Sequence, residues 1–504
     1  MGKLSALKMF CTGFAVCILM AAMSPAQTFT TLASFDQSNG YGPGYGALVQ
    51  GINGNFYGTT SLGGPYVSVC PDYGCGVLFE ITPAGKLSAL YDFCSQPACA
   101  DGSYPELGLV QATNGKIYGV TTNNGNCANC GTIFETSLMG KVSTFHSFCS
   151  QTGCTDGYTP FNGLLQAIDG NFYGTTYEGG TSAIGGGTVF KITPSGTFTT
   201  LYSFCVTSCS DGFGPWAGLI QGSDGNFYGT TLLGGIANDG GTVFKITPQG
   251  KLTTLYSFCS QYPTCPDGYE VYAGVIQGND GNFYGTTLLG GGSGGGAGGG
   301  TVFKLTPNGT LTTLHSFCSQ PNCADGAQPW AALVQATDGN LYGTTSVGGT
   351  PTSCFNPPPT GCGTIFRITP AGNFTTLYSF CSQPNCADGS VPAGGLVQAT
   401  NGMLYGTNGG GVGGGGTVFS LSVGLRPFVK PLPSGGKVGS KVILLGNNLT
   451  GTTSVTFNGT ATTFTVVSPT EITTTVPTGA TTGKVQVTTP SGTLTSNVVF
   501  RIRQ

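Results

Sequence analysis

The chain has 504 residues, of which 7% are charged, and a formal net charge of −3. No basic run occurs, so a nucleic-acid partner is not expected. Hydrophobic residues at 39% argue against disorder, and 88 glycines with abundant Thr, Val, Tyr and Phe favour strands and tight turns over helices.

Residues 1–26 read as a signal peptide. Lys3 and Lys8 form its positive region, Phe10 to Met23 is apolar, and Ser24-Pro25-Ala26 suits cleavage before Gln27. That apolar run has 14 residues, short of the roughly 20 that span a bilayer. The mature chain is expected to be secreted or cell-surface, with the periplasm also open, and to keep no transmembrane anchor after cleavage.

Setting aside Cys11 and Cys17 leaves 18 cysteines in nine close pairs: Cys70/Cys75, Cys94/Cys99, Cys127/Cys130, Cys149/Cys154, Cys205/Cys209, Cys259/Cys265, Cys318/Cys323, Cys354/Cys362 and Cys381/Cys386. In an exported chain this reads as nine local disulfides that pin loops. Zinc is the rival for Cys127 and Cys130, but a structural site needs four ligands and no second pair is left over. No metal and no cofactor is expected.

From residue 27 to 423 the text repeats. The Tyr of a YGTT-like motif stands at 57, 118, 173, 228, 284, 342 and 405; the Phe of a GTVF-like motif stands at 79, 134, 190, 244, 303, 366 and 419. A third motif, FTTLYSF, ends in Phe at 35, 93, 148, 204, 258, 317 and 380. Each period of about 55 residues holds four strand-like runs, such as Gly218 to Gln221, Asn226 to Thr231, Thr242 to Thr247 and Leu252 to Phe258. Asp-Gly and Pro-x-Gly turns join them in hairpins. Seven such units predict an all-β, seven-bladed β-propeller. The region begins with a lone fourth strand, Phe29 to Phe35, and ends on a third, Thr417 to Leu421. The first segment is expected to complete the last blade and remove the open edges. The repeat resembles the bacterial GloVer tandem repeat and, in motif order, NHL-type and virginiamycin-lyase-like propellers. That resemblance implies that the first strand lines a central channel and the fourth lies outermost.

Residues 424–504 differ. Pro427, Pro431 and Pro433 suggest a linker, and alternation at Val455/Phe457, Phe464/Val466, Val485/Val487 and Val498/Phe500 suggests a small sandwich. Through Gly439, Val442, Gly446, Val455, Phe457, Gly459, Val476-Pro477, Gly483, Val485, Gly492 and Phe500 the segment resembles IPT/TIG domains, which implies an Ig-like adhesive or spacer module.

No catalytic set stands out. His146 and His315 share a slot with Tyr91, Tyr202, Tyr256 and Tyr378, which marks them as packing residues with a polar tip. Glu80 and Glu135 share a slot with Lys191, Lys245, Lys304 and Arg367, read as a solvated position. Glu106 and Glu270 fall near the long-loop face at different offsets, so no glycosidase pair is asserted. Asp101, Asp156, Asp211, Asp267, Asp325 and Asp388 each precede Gly after a Cys pair. Cation binding is one reading of them, and Asx turn chemistry is favoured. The tract from Gly290 to Gly300 is a flexible connector, since no Gly-Lys-Ser/Thr follows it.

One constellation points to a ligand. The residue entering the first strand is Glu106, Phe161, Trp216, Tyr272, Trp330 and Ala393 in successive units. Phe161, Trp216, Tyr272 and Trp330 are the candidate ligand-binding residues: four rings at a channel mouth suit stacking on sugars, and inter-blade packing is the competing reading. The expected role is a secreted or surface binding and adhesion protein for an extracellular polysaccharide or surface protein. An extracellular lyase or hydrolase and a rigid spacer stand as alternatives.

Overall fold

The computed structural model describes residues 27–43, 46–66, 69–70, 73–106, 108–236, 239–292, 298–350, 354 and 361–503. The expected signal peptide and residues 293–297 of the glycine tract lie outside these.

The described repeat region is almost entirely β. Its best-written unit pairs Ile220–Gln221, Phe227–Thr231, Thr242–Ile246 and Leu252–Ser257 antiparallel in chain order. Seven sheets follow this plan, like propeller blades. The first has a fifth strand, Tyr41–Pro43, which departs from the expected four. It pairs with Phe56–Leu62, a second strand of seven residues where the other sheets have five. In five of the others the same place holds a single bridge, such as Phe213↔Leu233. Thr28–Ser34 pairs antiparallel with Thr417–Ser422, so the first described strand does complete the last sheet.

The repeated letters have specific tasks. A Cβ on Gly229 would stand 2.6 Å from the ring of Phe244, and each of the other six sheets shows the same overlap, from Gly58 under Phe79 to Gly406 under Phe419. The glycine of YGTT is therefore kept for space, since its φ is an ordinary one. Next to it, the hydroxyls of Thr231 and Thr242 meet at 2.8 Å in the core, and Thr231 Oγ1 also accepts the Thr242 N–H. Both threonines are thus satisfied where burial would otherwise be costly.

Two devices join sheet to sheet. The YGTT tyrosine packs on the residue before the corresponding tyrosine of the next sheet: Tyr173 on Phe227 at 4.0 Å, Tyr228 on Phe283 at 4.2 Å, and Tyr405 of the last sheet on Phe56 of the first at 4.1 Å. The glutamine ending each first strand adds a hydrogen-bonded latch. Gln277 Oε1 accepts the Ser223 N–H of the preceding sheet at 2.8 Å, while its Nε2 donates to Gly281 in its own turn at 3.1 Å. Gln166, Gln221, Gln335, Gln398 and Gln50 accept in the same way, the last joining the final sheet to the first. The exception is the seam between the first and second sheets, where the buried Gln111 Oε1 has no hydrogen-bond partner among the described residues. There the C-terminal segment intervenes: Thr470 Oγ1 donates to Ile52 O at 2.8 Å.

That segment forms two four-stranded antiparallel sheets. One runs Lys430–Leu432, Lys441–Leu445, Glu471–Thr475, Phe464–Ser468; the other runs Thr460–Ala461, Ser454–Phe457, Val485–Thr489, Gly492–Thr495. They share a core that includes Val442, Leu444, Val455, Phe457, Ile472 and Val485. Two expectations are corrected. Pro431 lies inside a paired strand, not in a linker, and it is tolerated there because that strand is at the sheet edge. Val498 does not join Phe500 in the core: it is 37% exposed against 1%. The chain bends before Phe500, and Val498 lines cavities at the junction with the repeat region.

Gly229→Ala is expected to lower stability by about 1–3 kcal/mol through forced movement of the Phe244 ring. Denaturant unfolding would measure it, and an unchanged midpoint would contradict the packing described.

Candidate ligand-binding site at the entry to the first strands

The first strands of neighbouring sheets converge. A Cβ on Gly163 would lie 1.7 Å from Gly108 O, one on Gly274 would lie 3.2 Å from Gly218 O, and one on Gly395 would lie 3.4 Å from Ala47 Cβ. Small residues are required because backbone meets backbone here, which makes these strands the inner ones. The candidate residues stand just before them, at the end away from the Asp-Gly turns.

The four aromatics come together as one wall. Phe161 stacks on Trp216 with centroids 3.7 Å apart, Trp216 meets Tyr272 edge-on at 5.3 Å, and Tyr272 lies 4.4 Å from Trp330 at a tilt of 47°. All four are half-buried. The two readings of the sequence thus coexist, since the rings pack against one another and remain partly open to solvent. The stack with Phe161 covers one face of the Trp216 indole. Tyr177 extends the wall, 5.4 Å from Phe161 and 5.5 Å from Trp216. Sequence reading missed it. The available signal was an aromatic in a slot held by Leu232, Leu288 and Ser346 in later units.

Glu106 holds the slot corresponding to these rings in the second sheet. Burial pushes its carboxyl up to about 7. Burial also raises Glu270, which lies two residues before Tyr272 in the fifth sheet. Neither is in an ion pair among the described residues. A half-buried acid with a pKa near neutrality can donate or accept a proton at physiological pH.

The other candidates are engaged in structure. Asp325 is fully buried. Its carboxylate lies 3.1 Å from His315 Nε2 and accepts the N–H and hydroxyl of Ser319. Burial alone would raise its pKa, but these partners hold it below the usual carboxylate range. Asp101, Asp211, Asp267 and Asp388 accept from Tyr91, Tyr202, Tyr256 and Tyr378 in the same manner. Asp156 accepts the N–H and hydroxyl of Ser150, so all six aspartates reach back to close the cysteine loops. This differs from the expected Asx turn, whose bond spans two residues. The Glu/Lys slot is likewise not simply solvated. Where it is Lys245, the turn residue is Asp224, 2.7 Å away and also bound by Tyr228; where it is Glu80, the turn residue is Asn53. The carboxylate moves from the turn to the strand slot, so the tyrosine keeps an acceptor.

All nine expected disulfides are present. Six of them close short loops that are also ordered turns: Cys94–Cys99, Cys149–Cys154, Cys205–Cys209, Cys259–Cys265, Cys318–Cys323 and Cys381–Cys386. Their Cα atoms are 4.0–4.4 Å apart, against 5.1–5.2 Å in the other three. The second cysteine of each stands in an ordered turn. Cys99, Cys154, Cys323 and Cys386 each end a single turn of 3-10 helix, and Cys209 begins one. Cys265 closes a hydrogen-bonded turn instead, its N–H donating to Gln261 O at 3.0 Å. The physical reason is the short separation, four to six residues, within which the chain must reverse. It does so with φ between 35° and 53° at Cys99, Cys154, Cys265, Cys323 and Cys386. Residues other than glycine seldom adopt that left-handed region, and the buried aspartate of each loop helps to hold them there. Sequence reading foresaw the pairing at these positions but not the turn.

The sulfur of Cys149 comes within 4.8 Å of the Cys127–Cys130 pair, a third sulfur that sequence reading did not foresee. No helix among the described residues is long and apolar enough to cross a membrane.

The family model of the Gloeobacter/Verrucomicrobia repeat matches residues 18–186, 71–296, 160–419 and 259–467 in overlapping stretches. No curated protein matches the chain. Among solved structures, a structural-genomics target assigned to the gluconolactonases is 11% identical, with 80% of this chain and 94% of that one covered and a TM-score of 0.39. A luciferin-regenerating enzyme is 12% identical over 70% and 98%, with a TM-score of 0.38. A protein of unknown function from Bacteroides thetaiotaomicron VPI-5482 is 13% identical over 69% and 82%, with a TM-score of 0.35. At these scores the fold rests on the strand pairing of the chain itself.

Glu106→Gln tests the buried carboxyl. The native pKa lies above the unfolded value of about 4.3, so the folded state binds the extra proton. Stability conferred by that proton is present below the unfolded pKa and is lost as pH rises to about 7. The glutamine variant is expected to lack this decline and to be more stable at pH 8 by about 1–3 kcal/mol. Parallel pH–stability curves for the two proteins would refute the assignment.

Proposed function

The chain belongs to the Gloeobacter/Verrucomicrobia repeat family, and on that basis we propose that it is an exported binding protein. Its seven sheets form a closed seven-bladed propeller, completed by Thr28–Ser34 and followed by an Ig-like IPT/TIG module. Nine disulfides suit an oxidising compartment, in keeping with the signal-like segment at residues 1–26. The ligand is an extracellular polysaccharide held at the channel mouth, and display on a cell surface would make the protein adhesive.

The observation that carries this reading is the continuous wall of Phe161, Trp216, Tyr272 and Trp330 on four successive sheets. Half-exposed rings supply stacking faces for sugars with little ordering cost, because they already support one another. Loops set on a rigid array are also where binding residues concentrate.

A second reading is favoured by Glu106, whose raised pKa suits a general acid in a polysaccharide lyase or hydrolase.

A glycan array probed with the folded protein, and read for cleavage as well as binding, separates the two. Trp216→Ala with Trp330→Ala is expected to weaken neutral-glycan binding by about tenfold or more, on the scale of one or two lost aromatic contacts. Unchanged binding by the folded double variant would sink the stacking role. Cleavage abolished by Glu106→Gln would favour the enzyme.

A further inference from the structure

At the opposite end of the inner strands from the aromatic wall, the C-terminal segment lies beside some of the turns, with Thr470 near Gly54 and Arg503 near Gly225. A cavity of about 800 Å³ lies between that segment and the array. The array lines it with the turn from Gln221 to Asn226 and with Gln277; the C-terminal segment lines it with Arg501 and Arg503. A second cavity, of about 380 Å³, shares Ser434 and Val498 with the first and is lined by Lys430.

Cations are scarce in this chain, with 17 Lys and Arg in 504 residues, yet three of them border these two cavities. Arg501 Nη2 lies 3.4 Å from Gln277 Oε1. Arg503 Nη2 stands 3.5 Å from where a Cβ on Gly225 would be. Among the described residues none of the three is in an ion pair. The carboxylate in the lining, Asp224, is already taken by Lys245 at 2.7 Å and by the Tyr228 hydroxyl at 2.8 Å. Burial and the charge of Arg503 hold Arg501 below the usual guanidinium range, against the opposing influence of Asp224. Two like charges on one short strand, in a cavity whose one lining carboxylate is already shared with Lys245, are stabilised further by an oxyanion, which guanidinium binds with paired N–H donors.

The rest of the lining narrows the class of anion. The Gln277 amide is engaged in the latch and Asn226 Nδ2 with Asp224, so the lining offers the Asn279 amide, the Asn226 Oδ1 and the Ser434 hydroxyl beside the apolar Ile276. Amides with a patch of hydrocarbon suit the hydroxyls and ring faces of a sugar, and the volume is in the range of small-molecule sites. We propose that this junction cavity binds an acidic saccharide, with its carboxylate between Arg501 and Arg503 and its hydroxyls on the amides of the turns. The site lies at the other end of the inner strands from the aromatic wall and does not depend on the function proposed for that wall.

Titration calorimetry of the full chain tests it with three probes: digalacturonate, the neutral galactose disaccharide and inorganic sulfate. Digalacturonate is expected to bind, and Arg501→Gln with Arg503→Gln to weaken it by about tenfold or more, the scale of a lost charged hydrogen bond. Asn279→Asp places a negative charge in the lining at an exposed position and should weaken digalacturonate severalfold with the unfolding midpoint unchanged. Trp216→Ala with Trp330→Ala should leave this binding intact, which distinguishes the two sites. The proposal is overturned if digalacturonate gives no heat, or if the neutral disaccharide or sulfate binds as tightly. Full binding by Asn279→Asp and by a folded double arginine variant would overturn it as well.

Discussion

The array depends on one side-chain amide repeated around it. At six of the seven inner strands a terminal glutamine accepts a backbone N–H from the preceding sheet, and in five of these it also donates into its own turn. Because each of these amides ties its own sheet to the preceding one, it fixes their spacing at the level where the inner strands crowd together. Glycine and alanine at that level follow from the crowding, as Gly108 and Gly163 show by leaving no space for a Cβ. The aromatic wall follows in turn: strands held this close bring their entry residues within ring-to-ring distance. At the seam where Gln111 Oε1 has no partner among the described residues, a threonine from the C-terminal segment binds the neighbouring carbonyl.

Much of the fold was legible because the array is written seven times. A letter that recurs in every copy, such as the glycine of YGTT, marks a need that no single copy would reveal. The pairing of Thr28–Ser34 with Thr417–Ser422 could be read from the phase of the motifs at the two ends. The C-terminal segment was less legible because it occurs once. Alternation placed Val455, Phe457, Val485 and Val487 in its core correctly. The same rule misplaced Val498, since a bend before Phe500 breaks the period of two. Pro431 misled for a related reason: proline signals a break only where its missing N–H would be needed, and an edge strand does not need it.

The polar network was harder to read because it is compensated. Lys245 with Asp224, and Glu80 with Asn53, look like unrelated substitutions when each slot is taken alone. Paired across the hairpin, they keep one acceptor for the tyrosine hydroxyl, and a change in one letter is matched by a change in the other. The aspartates after the cysteines were misread for the opposite reason, as their constancy suggested local turn chemistry. Their partners lie five or more residues back in the chain, as Ser95, Gln96 and Tyr91 do for Asp101. Only the folded loop brings them together. The turns at Cys99, Cys154, Cys209, Cys265, Cys323 and Cys386 escaped notice along with them, because no glycine stands at those positions to signal the left-handed backbone that most of them adopt.

The two ends of the inner strands follow different logics. At the turn end the letters are shared, because latch and turn must repeat for neighbouring sheets to join. Chemistry enters there from outside the repeat, through Arg501, Arg503 and Lys430. At the entry end the letters differ from copy to copy, with Glu106, Phe161, Trp216, Tyr272, Trp330 and Ala393 in successive sheets. That slot is free to vary because the glutamine latches and tyrosine packing already hold the sheets together. A position relieved of structural duty in a repeated fold can hold a graded surface, here running from a carboxyl through four aromatic rings to a methyl group. A ligand meeting that gradient would be oriented by it, which a ring of seven identical residues could not do.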